Sequence, residues 1–208
     1  MHPKSWEIWL VRHGETEWSR SGRHTGRSDV PLTKEGERQA GALSEYLGGR
    51  RFALVLTSPL ERAGETCRLA GWGSQARPCD SLLEWNYGIY EGRRTSEIQE
   101  AEPGWSIWKA NVVGGETVED VAVRARNAIA AAEQSEGDAL LFAHGHVLRI
   151  LAACWLGLPP DAGRFFALDA GSCSVLGHEH ENRVLRSWNR VPDRVLQATS
   201  LAVRGGEG

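Results

Sequence analysis

The chain has 208 residues, of which 41% are hydrophobic, and this is enough to bury a sizeable core, so we expect a single domain. Its 24 basic and 27 acidic side chains give a formal net charge of −3. Nonspecific binding to nucleic acid depends on a basic surface, so we expect no nucleic-acid partner.

Apolar runs and helical patterns alternate along the chain. In chain order they predict a strand at Ile8–Val11, a helix at 34–48, a strand at Leu54–Leu56, helices at Glu61–Leu69 and Thr117–Glu133, a strand at Ala139–Ala143 and a helix at Val147–Leu156. Such alternation is typical of parallel strands joined by crossover helices. Two late runs, Ser174–Leu176 and Val184–Trp188, predict a final pair of strands around a polar turn.

The region from Arg93 to Glu116 interrupts this alternation and carries Trp105 and Trp108. We expect this insertion, about residues 93–116, to lie over the strand ends like a lid and to influence the choice of substrate. The glycine-rich end at 204–208 offers nothing to pack and is predicted to be disordered. The predicted domain therefore covers residues 1–203.

Neither a signal core nor a membrane span is predicted. The first seven residues lack an apolar core, and no stretch of about 20 apolar residues could span a bilayer. We therefore expect a cytoplasmic protein with no membrane partner. The four cysteines show no C-x-x-C spacing and are predicted to be small buried hydrophobic residues.

Three predicted strands end in basic side chains. The first runs into Arg12-His13-Gly14, the second reaches Arg62 through Ser58-Pro59, and the third ends in His144-Gly145. In an open α/β sheet, ligands bind beyond the carboxyl ends of the strands. We therefore expect one composite site that contains Arg12, His13, Arg62 and His144.

This set of side chains suits phosphoryl transfer, in which negative charge spreads over three oxygens. Arg12 and Arg62 could each bind phosphate oxygens in a bidentate manner, and His144 would add another donor. His13 is the best candidate nucleophile, because an imidazole nitrogen is unprotonated near neutral pH. We expect a backbone carbonyl near Gly14 to fix its tautomer.

Four separated motifs carry a family resemblance: R-H-G-E-T at 12–16, S-P-L-x-R-A-x-x-T at 58–66, Leu83-Glu84 with Gly88 and Glu91-Gly92, and H-G at 144–145. In this order they resemble the histidine phosphatase superfamily, which includes the cofactor-dependent phosphoglycerate mutases. Further residues at 18–22, 25–26, 29–33, 84–92 and 142–146 look like a branch of small phosphatases. That branch includes a fungal sedoheptulose bisphosphatase and mycobacterial acid phosphatases.

The resemblance implies an α/β fold, a three-layer α/β/α sandwich with a mostly parallel central sheet. It implies that His13 becomes phosphorylated and that Glu84 acts as the general acid that a departing sugar alkoxide needs. Nearby phosphate and partial burial would favour the protonated form of Glu84. The implied substrate-binding residues, apart from the catalytic set, are Ser19, Thr25, Gly26 and Gly145.

The function expected on these grounds is a phosphatase that hydrolyses small phosphorylated metabolites, such as sugar phosphates, without a cofactor. A phosphoglycerate mutase and a noncatalytic phosphate-binding module are the alternatives. The mutase is disfavoured because Trp85-Asn86 follows Glu84 where the mutases it resembles carry a basic residue. The physiological substrate and the oligomeric state stay open, and a homodimer is compatible with the sequence.

Metal binding is a competing interpretation of the histidines. His144-x-His146 and His178-x-His180 would each place two imidazoles on one face of a strand. However, no cysteine or carboxylate completes a recognisable ligand spacing, and His144-Gly145 lies at a turn. We therefore expect no metal site. Trp18 and Trp85, which adjoin the motifs, are candidates for contact with a sugar, and Glu15 and Glu116 either orient arginines or are surface charges.

Overall fold

The computed structural model describes residues 6–192. Its strands are β1 (Ile8–Arg12), β2 (Leu54–Thr57), β3 (Arg77–Pro78), β4 (Ala139–Ala143), β5 (Cys173–Glu179) and β6 (Asn182–Arg190). Its helices are α1 (Glu17–Ser21), α2 (Lys34–Leu47), α3 (Glu61–Leu69), α4 (Thr95–Ala101), α5 (Val118–Glu133) and α6 (Gly145–Trp155), with 3₁₀ turns at Asp80–Leu82, Gly88–Tyr90 and Pro160–Phe165. The predicted element order is confirmed.

The strands form a single sheet in the order β3-β2-β4-β1-β5-β6. The first four are parallel, whereas β5 pairs antiparallel with both β1 and β6. The expectation of a mostly parallel central sheet is therefore confirmed. Strands β5 and β6 run several residues beyond the predicted bounds, because their polar ends are held by pairing with each other and carry no apolar pattern.

Both faces of the sheet are covered. Along β1, Ile8 and Leu10 belong to the core cluster that also contains buried residues of α5 and α6. Trp9 and Val11 point to the other face and pack with residues of α2 and α3. This arrangement is the expected three-layer α/β/α sandwich.

The insertion at 93–116 contains α4 and is anchored in the core. Trp105 and Ile107 are only 8% and 4% exposed and belong to the cluster under α5 and α6. Among the helices of residues 6–192, none combines the length and the apolar character that a membrane span requires. The predicted boundary at residue 203 and the tail at 204–208 lie outside the described residues.

Candidate active site

The carboxyl ends of β1, β2 and β4 lie side by side. Arg12 is in register with Ala143, and Thr57 with Phe142. The residues that follow these strands are consequently neighbours, and the rings of His13 and His144 lie 5.1 Å apart between centroids. The structure thus brings together the four side chains that the strand ends predicted.

His13 is buried, with 4% of its surface exposed. Its Nδ1 lies 2.7 Å from the carbonyl oxygen of Gly14. Because a carbonyl only accepts, Nδ1 carries the proton and Nε2 keeps its lone pair. Burial, together with the positive charges of Arg62 and Arg12, holds the pKa of His13 well below its ordinary value, so the ring is neutral at pH 7. The expected carbonyl acceptor is confirmed.

The turn after His13 depends on two glycines that touch. A Cβ on Gly14 would lie 2.3 Å from the carbonyl oxygen of Gly36, in the first turn of α2. A Cβ on Gly36 would lie 2.1 Å from the carbonyl oxygen of Glu15. The Gly14 N–H also donates to Thr66 Oγ1 in α3 at 3.1 Å, so two helices fix the position of the turn.

Arg62 is fully buried and binds protein groups with most of its guanidinium. Its Nε donates to His144 Nδ1 at 3.1 Å. Its Nη1 donates to the carbonyl of Ser28, and its Nη2 donates to those of Thr25 and Gly26. Of five N–H groups, one on Nη1 is left without a partner in the described chain. Arg62 is therefore not the open bidentate fork that we expected, because the loop at 25–28 folds over it.

His144 is held at both ring nitrogens. Since Arg62 donates to Nδ1, the proton of a neutral His144 lies on Nε2, which is 2.7 Å from Ser58 Oγ. Burial, followed by the charge of Arg62, holds the pKa of His144 well below its ordinary value. Its one N–H thus points to Ser58 and is not the free donor that we expected. Sequence reasoning missed Ser58, whose only signal is its place before Pro59 at the end of β2.

Arg12 has more free donors than Arg62. Its Nη1 donates to the carbonyl of Leu168, while its Nε is buried and has no hydrogen-bond partner among residues 6–192. Burial lowers the pKa of Arg12, and the nearby Glu84 carboxylate opposes that effect. A guanidinium on a cavity wall with a buried, unpaired N–H group is suited to receive an anion.

Glu84 joins the segment that follows β3 to the start of α6. Its carboxylate accepts hydrogen bonds from the backbone N–H groups of Trp85, His146 and Val147, each at 2.9 Å. Helix α6 has no capping side chain of its own, so Glu84 satisfies its first donors. These three hydrogen bonds therefore hold the carboxylate in one position.

A cavity of about 390 Å³ opens next to His13, Arg12 and Glu84. Its wall includes Thr95, Trp105 and Trp108 from the insertion, His146 and Arg149 from α6, and Arg23. The indoles of Trp105 and Trp108 were not singled out for substrate contact. Their position in the insertion could have indicated substrate contact, because the insertion was expected to cover the strand ends.

The residues that we expected to bind substrate fall into two groups. Ser19, Thr25 and Gly145 line the cavity, although the Ser19 hydroxyl donates to the carbonyl of Thr16 as part of the cap of α1. Gly26 does not line it: its N–H donates to Glu91 and its carbonyl accepts from Arg62. Gly26 shapes the loop that holds Arg62.

Trp85 also differs from expectation. Its side chain is fully buried, and its Nε1 donates to the carbonyl of Glu116 at 2.7 Å, so it cannot stack on a ligand in the cavity.

Trp18 lies against Gly92. Glu15 accepts a hydrogen bond from Thr33, whereas Glu116 orients arginines, as described below.

His144 and His146 do not share a ligand position. His144 contacts Arg62 and Ser58, while the Nδ1 of His146 lies 2.6 Å from the hydroxyl of Tyr87. Between residues 6 and 192, no group of three or more histidine, cysteine, aspartate or glutamate side chains is placed to hold a metal ion.

The chain is similar in sequence to known proteins. The family described as "Histidine phosphatase superfamily (branch 1)" matches residues 8–191. The chain is 39% identical over 189 residues to an acid phosphatase of Mycobacterium tuberculosis, covering 89% of this chain and 93% of the relative. It is 39% identical over 181 residues to sedoheptulose 1,7-bisphosphatase of Saccharomyces cerevisiae, covering 72% and 67% of the two chains.

The fold has close counterparts among solved structures. An open reading frame product of Mycobacterium tuberculosis superposes with a TM-score of 0.85 at 38% identity, covering 90% of this chain and 98% of that one. The family match, at residues 8–191, extends over nearly the whole described chain and includes every strand of the sheet.

Proposed function

This chain belongs to the histidine phosphatase superfamily, and from that premise we propose that it is a metal-independent phosphatase of small phosphomonoesters, with sugar phosphates as the favoured class. The observation that carries the proposal is the hydrogen bond from His13 Nδ1 to the Gly14 carbonyl. It leaves Nε2 of a neutral imidazole free to attack phosphorus and form phosphohistidine.

Arg12 is the main phosphate-binding group of this mechanism. Its unpaired Nε supports this role, because the transferring group carries charge on three oxygens that need donors. The remaining Nη1 hydrogen of Arg62 adds a second cationic donor. Ser58 receives the His144 N–H and can turn its own hydroxyl hydrogen toward the phosphoryl group, so His144 acts through Ser58 until substrate displaces that contact.

Glu84 is the general acid and then the general base. In the first step its proton goes to the departing oxygen of the ester as the P–O bond breaks and the N–P bond forms on His13. In the second step the carboxylate takes a proton from water, which attacks phosphohistidine and releases phosphate. The three N–H donors that fix the carboxylate support this role, since general acids need a defined position.

The size and the lining of the cavity suit a polar leaving group of metabolite size. Its volume of about 390 Å³ is near the lower end for small-molecule sites. Indoles at Trp105 and Trp108 can pack on the apolar face of a sugar, while Arg23 and Arg149 add charge. The named acid phosphatase and sedoheptulose bisphosphatase relatives favour the same class.

The test is to trap the intermediate. Enzyme mixed briefly with a ³²P-labelled phosphomonoester and then denatured at alkaline pH should carry label on His13, because phosphoramidates survive alkali. The His13→Ala variant should carry no label and show no turnover. Label on another residue, or normal turnover by the variant, would remove the central claim. Turnover by the wild type would also exclude a noncatalytic phosphate-binding module.

A phosphoglycerate mutase uses the same intermediate but must protect it from water. After Glu84 this chain places the buried Trp85 and Asn86, and neither is a cation that would hold a phosphoglycerate. The assay incubates the enzyme with 3-phosphoglycerate, with and without a bisphosphoglycerate primer, beside a panel of sugar phosphates. We expect phosphate release from the panel to exceed isomerisation; rapid primed isomerisation without phosphate release would establish the mutase.

We also propose that the protein is cytoplasmic. Its four unpaired cysteines support this location, because disulfides are rare in that compartment. We propose neither nucleic acid nor a membrane as a partner of the protein.

A further inference from the structure

Arg124 and Glu116 form an ion pair directly behind Glu84. Nε and Nη2 of Arg124 lie 2.7 and 2.9 Å from the two carboxylate oxygens of Glu116, and both side chains are 18% exposed. Burial alone would raise the pKa of Glu116, but the hydrogen bonds from Arg124 and from the Asn86 N–H lower it, so the pair is ionic. Neither residue lines the cavity.

The same guanidinium holds the backbone that carries Glu84. Nη1 of Arg124 donates to the carbonyls of Leu83 at 2.8 Å and Ser81 at 3.2 Å, and Nη2 approaches that of Glu84 at 3.4 Å. Leu83 and Glu84 lie between two 3₁₀ turns, outside any helix or strand. Their backbone therefore depends on tertiary hydrogen bonds for its position.

Glu116 holds the other side of the same segment. Its carboxylate accepts the N–H of Asn86 at 2.9 Å, and its backbone carbonyl accepts Nε1 of Trp85 at 2.7 Å. Its backbone N–H donates to the carbonyl of Asn86 at 3.0 Å. The ion pair thus binds the chain on both sides of Glu84, while the carboxylate of Glu84 is bound to α6.

We propose that Arg124 and Glu116 are positioning residues that set the placement of Glu84 for proton transfer to the leaving group. The inference rests on the proposed function, in which Glu84 is the general acid. Without Arg124, three carbonyls lose their donor and the Glu84 backbone is released on one side. Proton transfer suffers, because a displacement of about 1 Å can cost on the order of 100-fold in rate. His13 and Arg12 keep their own contacts, so attack on phosphorus does not suffer.

The experiment compares two substrates that differ in their need for a proton. Glycerol 2-phosphate has a poor leaving group, whereas p-nitrophenyl phosphate releases a phenolate that barely needs protonation. The measured quantity is kcat/KM, because it reports steps up to the first irreversible one and so excludes hydrolysis of phosphohistidine. For Arg124→Met we expect a loss of roughly 10- to 100-fold on glycerol 2-phosphate and less than about threefold on p-nitrophenyl phosphate.

Arg126→Met is the matched control. Arg126 lies on the same helix, but its side chain is 50% exposed and pairs with the exposed Glu119 at the surface. We expect this variant to retain kcat/KM on both substrates. Arg124→Lys keeps a charge beside Glu116 yet cannot reach all three carbonyls, so it should give an intermediate loss with the same preference for the poor leaving group.

Removing one partner of a partly buried ion pair can also unfold the protein. Thermal unfolding is therefore measured for each variant, and the double variant Arg124→Met with Glu116→Gln removes both charges if the single variant fails to fold. It should show the same leaving-group selectivity.

A Glu84→Gln variant tests the positioning role of Arg124 separately from the general-acid role of Glu84. If Arg124 acts through Glu84, adding Arg124→Met to Glu84→Gln should cost nothing further on glycerol 2-phosphate. Selective loss in Glu84→Gln but equal losses on both substrates in folded Arg124→Met and Arg124→Lys would overturn the inference and leave the proposed function intact. Equal losses in Glu84→Gln itself would end the assignment of Glu84 as the acid, and the inference with it.

Discussion

The Nε of Arg62 lies 3.1 Å from the Nδ1 of His144, and this contact decides where the histidine carries its proton. An arginine that donates to an imidazole nitrogen requires that nitrogen to be unprotonated. The His144 proton therefore lies on the nitrogen that faces Ser58. Arg62 thus organises the site as well as supplying charge to it.

Arg62 and Arg12 should respond differently to replacement by lysine. Arg62→Lys leaves the carbonyls of Thr25, Gly26 and Ser28 without these donors, and that of Gly26 is buried, so we expect it to lose activity and at least about 2 kcal/mol of stability. Arg12→Lys loses only one such bond, to Leu168, and should lose activity with a smaller effect on folding. Urea unfolding and steady-state kinetics measure both. Equal loss of stability in the two variants would contradict this division of roles.

Glu84 should contribute to folding through α6. Glu84→Ala removes the acceptor of three backbone N–H groups, two of them at the start of this helix, whereas Glu84→Gln keeps one carbonyl oxygen. We expect Glu84→Ala to be about 1 kcal/mol less stable than Glu84→Gln, a typical value for a lost helix cap. Thermal unfolding at pH 7 tests this. Identical stabilities would show that water replaces the carboxylate at no cost.

Acid should destabilise the fold through its buried histidines. Burial lowers the pKa values of His13, His144 and His146 below the ordinary 6.5, so the unfolded chain binds more protons below that pH. Stability is therefore full above about pH 6.5 and falls as the pH drops below it, by up to about 1.4 kcal/mol per pH unit for each histidine. Unfolding free energies between pH 8 and pH 5 measure the slope.

Replacement of one of these histidines should reduce that slope. His146→Gln removes a partly buried ring that takes no part in the attack on phosphorus, and the exposed His180→Asn is the matched control. A slope that stays the same in His146→Gln would mean that carboxylates, and not this histidine, carry the acid response.

Activity should survive exhaustive chelation. Arg12, Arg62 and the Ser58 hydroxyl supply the charge and donors that a metal would otherwise provide. Phosphate release is measured before and after prolonged treatment with EDTA and with phenanthroline. Loss of activity that zinc or magnesium restores would favour the metal interpretation of the histidines.

The sequence predicted β1, β2 and β4 well because each is a short apolar run, whereas the two-residue β3 has no apolar pattern and was not predicted. It predicted the site because Arg12, His13 and His144 lie at the ends of adjacent strands. It did not reveal that Arg62 binds the loop at 25–28 or that Gly26 shapes that loop. These contacts join residues more than 30 positions apart through backbone carbonyls, and a carbonyl leaves no trace in residue type.

The same reason explains Arg124, whereas Ser58 was missed because its side-chain partner, His144, lies 86 positions away in the sequence. Arg124 sits in a helix whose apolar positions gave the prediction, and its charge looked like any solvent-facing charge until its partners were known. Trp85 was misjudged in the opposite direction, because nearness in sequence to Glu84 does not decide which way an indole points.

The contact between Gly14 and Gly36 limits how this protein can change. A Cβ on Gly14 would collide with the carbonyl of Gly36, and a Cβ on Gly36 with that of Glu15, so no smaller side chain nearby could make room for either substitution. The wall formed by Trp105 and Trp108 has no such restriction. New substrate preferences, in nature or in a mutant library, should therefore arise from the wall while the turn behind the nucleophile stays invariant.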